Sequence, residues 1–250
     1  MPPPETSLLR SAAITDIGRV RRQNEDRFLR LSDPPFFAVA DGIGGLPAGA
    51  TAAQTTVDLL EEAVPGTSIT HARDLVPLIE HINGEVSIIG LRLSPMYGIG
   101  TTLTCGRIVG HRLLLAHVGD SRCYLISDGE VRCLTEDHSV ENEQKRRLDR
   151  GDKITPITDE RTLVALTQCI GQTDSPVVET HEVELKSGDR IFFATDGITG
   201  LVSENELLTM LSTPEPLPER LANVVSTANE RGGPDNATGI LVEYDCPHHE

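Results

Sequence analysis

Three times in this chain a short apolar run ends on a carboxylate. FFAVA, residues 36–40, runs straight into Asp41. LLLAHV, residues 113–118, reaches Asp120 across a single glycine. IFFAT, residues 191–195, runs into Asp196. Continuous apolar runs of this length read as strands buried on both faces, and such a strand ends close to the protein interior. A carboxylate there is costly unless something compensates its charge. Two further aspartates share this setting: Asp26, which closes the basic run GRVRRQNED, and Asp235 in GGPDN, just before the strand-like ATGILV. Asp beside Gly is also ordinary turn chemistry, and at any one of these positions a plain turn is the simpler reading. The recurrence argues for a common partner, and an oxygen-rich cluster is what Mg²⁺ and Mn²⁺ prefer.

Bulk properties narrow the alternatives. The 250 residues suit one large domain or two small ones. Aromatic content is 3% with no Trp, so the core has to be aliphatic. The net charge of −16, from 22 basic and 38 acidic residues, argues against a nucleic-acid face. The five cysteines are odd in number and form no CxxC pair, which suggests neither a disulfide framework nor a thiolate zinc site. MPPPETSLLR is not a signal peptide, and no apolar stretch approaches the ~20 residues of a membrane span. The expectation is a protein of the cytoplasm with no membrane partner.

The chain reads as a loose tail over residues 1–7, one domain over 8–245 and a second short tail over 246–250. Strands are expected at Leu8–Asp16 and at Phe36–Ala40. Helices are expected at Ala48–Ala63 and Thr70–Leu93, the second with apolar residues at Leu75, Leu78, Ile79, Ile82 and Val86 on one face. Two hairpins follow, TTLTCGRIV with RLLLAHV around Gly110-His111, and CYLI with VRCL around Ser-Asp-Gly-Glu. Then come a polar helix ended by Gly151, the strands VVETHEVEL and RIFFAT flanking Lys186–Asp189, a helix capped by Ser203, a last helix at Pro218–Glu230, and the strand ATGILVEY. Parallel βαβ alternation is not sustained, so the pattern favours an α+β layered sandwich with antiparallel sheets and outer helices. No internal repeat, linker or sustained heptad appears, which favours a monomer.

GRVRRQNED, DGIGG, GTTL, AHVGDSRCYL, TEDHS, GDRIFFATDGI and GGPDNAT occur in this order. Together they resemble the bacterial type 2C, metal-dependent serine/threonine protein phosphatases, over residues 11–243. The resemblance implies a four-layer αββα sandwich with metals between two antiparallel sheets. It implies two Mn²⁺ or Mg²⁺ ions held by Asp26, Asp41, Asp196 and Asp235, with the Gly42 carbonyl. A water bridging the metals would supply hydroxide for direct, in-line attack on the phosphorus of phosphoserine or phosphothreonine in proteins. It also implies Arg21 as the phosphate clamp, since guanidinium grips phosphate oxygens bidentately, and substrates phosphorylated by a bacterial Ser/Thr kinase. Arg19 and Arg22 read as a solvated basic turn. Asp120 resembles the ligand of a third, weaker metal, and equally reads as the cap of the hairpin at Ser121-Arg122. Thr101, Thr102 and His138 read as structural.

The sequence departs from the family pattern at four places. Leu46, Ala50 and Ala53 stand where members commonly have His, Glu and Ser, and Gly200 stands where many have a further Asp for the third metal. With Leu46 no imidazole can protonate the leaving group there. Activity on phosphoserine is then expected to fall more than on an activated aryl phosphate. Three rivals are weighed: a binding module that keeps the fold without turnover, a purely structural aliphatic β-protein, which leaves the repeated strand-end aspartates unexplained, and a hydrolase of small phosphate esters or nucleotides. Against the last, no Walker-type GxxxxGK[ST] loop is present.

Overall fold

The apolar runs are strands covered on both sides. A computed structural model describes residues 8–43 and 48–246. In it the strand Pro35–Asp41 (β3, after β1 at Leu8–Asp16 and β2 at Asp26–Ser32) sends Phe36, Ala38 and Ala40 to one core cluster and Phe37 and Val39 to another. Period-two side-chain direction with burial on both faces is why FFAVA shows no polar alternation. The next elements are helices α1 (Gly49–Ala63) and α2 (Leu75–Leu93), hairpin β4 (Leu103–Val109) with β5 (Arg112–Val118), and hairpin β6 (Arg122–Ser127) with β7 (Glu130–Cys133). They are followed by α3 (Val140–Asp149), α4 (Glu160–Leu163), β8 (Glu179–Glu184), β9 (Asp189–Ala194), α5 (Asp196–Thr199), α6 (Glu204–Leu211), α7 (Leu217–Glu230) and β10 (Ala237–Asp245).

The strands form two antiparallel five-stranded sheets, ordered β1-β10-β9-β6-β7 and β2-β3-β4-β5-β8. Between them lies a core with Phe37 and Phe193 at a ring separation of 6.3 Å. Outside the second sheet, α1 and α2 cover Phe36, Leu114 and Ala116 with Leu60, Leu75, Ile79 and Ile82. Outside the first, α5, α6 and α7 cover Phe192, Ala194 and Leu241 with Ile198, Leu207, Leu211 and Val224. The architecture is therefore the expected layered sandwich of two antiparallel sheets flanked by helices.

Local expectations hold at most elements. The β6–β7 turn has Asp128 and Gly129 at φ 53° and 79°, as a tight two-residue hairpin requires. Ser203 and Glu206 form a reciprocal capping box on α6. Three features escape the sequence reading. β2 carried no strand expectation. The long helix begins at Leu75, after a separate 3₁₀ turn at Ala72–Asp74. The strands flanking Lys186–Asp189 are not a hairpin: β8 pairs with β5 in one sheet and β9 with β6 and β10 in the other, so this turn crosses the sandwich.

Candidate metal centre and substrate cleft

Four of the five singled-out aspartates reach one end of the sandwich by strand register. Asp26 opens β2 and Asp41 closes β3, and the two are direct cross-strand partners. Asp196 follows β9 by two positions and Asp235 precedes β10 by two, while β9 and β10 pair through Gly239 and Ala194. Like charges directly opposed across strands repel, so this register is unfavourable without compensation. Asp120, after β5, joins the cluster from the side. Asp41, Asp120, Asp196, Asp235 and Arg21 line a cleft of about 560 Å³, with Asp26 buried beneath.

The glycines in the Asp-Gly pairs have a different purpose from a turn. A Cβ on Gly42 would lie 2.5 Å from the Gly49 carbonyl group, and one on Gly197 would lie 1.9 Å from the Asn236 carbonyl oxygen. Neither has a left-handed φ. Gly42 lets α1 start against β3, and Gly197 lets α5 start against the Asp235–Asn236 turn, so both draw backbone close around the carboxylates.

The electrostatics are strained. Asp26 is 1% exposed. Its Oδ2 accepts from Thr195 Oγ1 at 2.9 Å, and its Oδ1 has no partner. Burial, with Asp196 and Asp235 adding to it, pushes its carboxyl up to about 7. Burial raises Asp41 well above the carboxylate range, reinforced by Asp26, Asp196 and Asp120. Asp196 is raised by burial and by Asp235, and its Oδ1 is also buried without a partner. Asp120 is pushed up to about 7 by burial, then by Asp196 and Asp137. Buried carboxylates with unpartnered oxygens are a poor end state and a good ligand set for a hard cation, so the residues present fit a divalent-metal centre.

Arg21 is the positive member. Its Nη2 donates to Asp235 Oδ2 at 2.6 Å, and Nη1 lies 3.9 Å from Glu25. Burial is the largest influence and opposes its charge, but the Asp235 bond and the negative charges of Asp235, Glu25 and Asp41 together outweigh it, and its pKa is raised. Arg19 and Arg22 are exposed and do not line the cleft. Gly42 is buried between the lining residues Asp41 and Ile43, its N–H donating to the Glu25 carbonyl at 3.3 Å. Asp120 makes no hydrogen bond to Ser121 or Arg122. Arg122 is instead held bidentately by Asp137, at 2.8 and 2.6 Å. Gly200 is the exposed residue after α5 and offers no carboxylate. Leu46 lies outside the described residues.

Several residues that hold the site were not singled out from sequence. Thr195 bonds Asp26 across the two sheets. Asn236, 2% exposed, accepts from Glu25 N–H at 2.8 Å and donates to the Ile17 and Gln23 carbonyls at 2.9 and 3.1 Å. It thereby pins the loop that carries Arg21. Thr102, expected to be structural, accepts from Asp41 N–H at 3.0 Å and bonds Ser121. A further wall of the cleft is the uncharged segment 164–169, ending at Cys169. The only local signal for Thr195 and Asn236 is their place beside an aspartate, in ATDG and PDN.

Comparison with known proteins gives one answer. The family model described as protein phosphatase 2C matches residues 15–234. The serine/threonine phosphatase stp of Listeria monocytogenes serotype 4b is 32% identical over 239 residues, covering 92% of this chain and 94% of that one. A putative protein phosphatase 2C-type of Streptococcus pyogenes serotype M6 is 35% identical, covering 92% and 96%. Among solved structures, the S. agalactiae serine/threonine phosphatase superposes with TM-score 0.82 at 31% identity, covering 94% and 99%. The catalytic domain of PstP in complex with two manganese ions superposes with TM-score 0.79 at 32% identity, covering 96% and 100%.

Proposed function

The chain belongs to the protein phosphatase 2C family, and from that premise we propose that Asp26, Asp41, Asp196 and Asp235, with the Gly42 carbonyl, hold the two divalent cations of its phosphatase reaction. The chain is a metal-dependent serine/threonine protein phosphatase. The observation that supports this ligand set is the convergence of four carboxylates from both sheets, two of them with buried oxygens that have no other partner. Bound Mn²⁺ or Mg²⁺ would supply water activation and neutralise charge on the phosphate.

The protein's own groups orient the substrate. Arg21 lies at the cleft with its side chain 35% exposed, so one edge of the guanidinium can hold Asp235 while the other grips phosphate oxygens. The 164–169 wall covers the phosphorylated side chain and limits water. Asp120 faces the cleft without a hairpin bond of its own, which favours its reading as an outer, third-cation ligand. With Gly200 in place of a second carboxylate, that third position binds weakly. The physiological substrates are phosphoproteins made by a Ser/Thr kinase, met in the cytoplasm by a monomer. Among the described residues no helix is long and apolar enough to cross a membrane.

Phosphate release from a phosphothreonine peptide tests this reading, measured with Mn²⁺, with Mg²⁺ and with chelator, on wild type and Asp196→Asn. Release that requires metal and falls at least a hundredfold in the variant is expected, since losing ~3 kcal/mol of charge stabilisation costs that much. Undiminished release from Asp196→Asn would remove that residue from the centre. No release from wild type while metal still binds would favour a phosphoprotein-binding module.

A further inference from the structure

The tightest group of titratable side chains lies behind the cleft. His117, on β5, is fully buried, and its ring meets that of His138 at 5.0 Å, tilted by 40°. With Glu179 they bring three potential ligand atoms within 4.8 Å of one another. The hydrogen bonds decide which chemistry this group supports.

Thr104 Oγ1 donates its one proton to the Ser121 carbonyl at 2.8 Å, so at its 2.8 Å contact with His117 Nδ1 the imidazole must be the donor. That leaves a lone pair on His117 Nε2, which has no partner. His138 is wired the opposite way. Its Nδ1 accepts from Gly119 N–H at 3.2 Å, so its proton is on Nε2, which lies 3.9 Å from Glu179. Burial lowers both imidazoles, which keeps the rings neutral and these tautomers in place. A metal at His138 Nε2 would need the proton on Nδ1, where the Gly119 N–H already points. The arrangement therefore disfavours a second metal site.

What the group does hold is backbone. His138 N–H donates to the Gly119 carbonyl at 2.7 Å, completing a reciprocal pair with the residue next to Asp120. The His138 carbonyl accepts from Thr167 N–H at 2.8 Å, Val140 N–H donates to Ala165, and Ser139 bridges Leu166. Ala165, Leu166 and Thr167 belong to the cleft wall. Gly119 has no latitude of its own, at φ 116° with Thr102 against its Cα.

We propose that His138, seated on His117, is a positioning residue that fixes Asp120 and the 165–167 cleft wall relative to each other, so that cation binding at Asp120 and phosphoprotein binding against the wall are coupled. This rests on the reading of Asp120 as a cation ligand. Two variants test it: His138→Leu removes the acceptor for Gly119, and His138→Asn keeps an oxygen near the place of Nδ1.

Amide hydrogen exchange reads the coupling directly and needs no turnover. In His138→Leu the amides of Gly119 and Thr167 should both exchange at least about tenfold faster, and His138→Asn should restore both. In turnover, His138→Leu should raise the Mn²⁺ concentration for half-activation by about tenfold and raise KM for the phosphopeptide, with kcat at saturating Mn²⁺ near that of wild type. Faster exchange at Gly119 with Thr167 unchanged would overturn the coupling, as would equal loss of kcat in both variants. Stoichiometric Zn²⁺ binding to the chelator-treated protein, lost in His117→Ala, would make the group a metal site instead. A wild type that binds no Mn²⁺ would sink the proposed ligand set, and the exchange result would still decide the coupling.

Discussion

Asp26 has one oxygen bonded to Thr195 and one without a hydrogen-bond partner, and burial pushes its carboxyl up to about 7. A raised carboxyl pKa means that the folded state holds a proton the unfolded chain has released. Between about pH 4 and pH 7 the folded state therefore binds more protons, and stability without metal falls as pH rises through that window. Asp120, also near 7, adds to the same slope. Urea unfolding in chelator should show the midpoint decreasing from pH 5 to pH 7.5, and saturating Mn²⁺ should abolish the decrease. A flat profile in chelator would contradict the crowding. At this scale the sequence was informative where chemistry recurs. That Asp41 and Asp196 meet at one cleft was legible because an apolar run ending on a carboxylate is unusual; Asp26, Asp235 and Arg21 were brought to the same place only by the ordered set of motifs. Thr195 and Asn236 were not legible, because a hydroxyl or amide beside an aspartate is common in any turn, and only the folded packing shows what it holds.

Between elements, the close approach at Gly197 carries a definite cost. In the first turn of α5, helix propensity alone would favour Ala over Gly by ~1 kcal/mol. The contact at 1.9 Å to the Asn236 carbonyl oxygen reverses the sign. Gly197→Ala should destabilise by roughly 3 kcal/mol, read as a lower urea midpoint, and weaken Mn²⁺ binding by moving Asp196 away from Asp235. Asn236→Ala should act on the other neighbour. It frees the 17–25 loop from three hydrogen bonds, so KM for phosphopeptide should rise by about tenfold with Arg21 untouched in sequence. A KM within twofold of wild type would mean the Arg19–Gly233 backbone bond alone suffices to hold the loop. Strand β2 escaped sequence reading because DRFLRLS has Arg27 half-buried beside Phe28 and gives no clean alternation. The crossing from β8 to β9 was equally hidden, since a Lys-Ser-Gly turn looks the same whether its strands pair or part.

Across the whole molecule, four layers leave a single central core between the sheets, and Phe193 sits at its middle against Phe37. Phe193→Ala should cost about 3–5 kcal/mol, measured by urea unfolding with Mn²⁺ present, and should lower activity only through the folded fraction. The layered class was readable from segregated strands and helices. The sheet order was not, because it depends on contacts between the first and last strands, 8–16 and 237–245, which no local pattern announces. That order has a consequence in time. β10 lies between β1 and β9, so the first sheet stays split until the final strand is delivered, and Asp235 stands just ahead of that strand. Until that strand pairs, Asp26 and Asp41 already face each other across β2 and β3, but Asp235 is not yet held beside Asp196, and the cluster of carboxylates stays open. Hydrolytic competence thus waits on the docking of one strand, in one step.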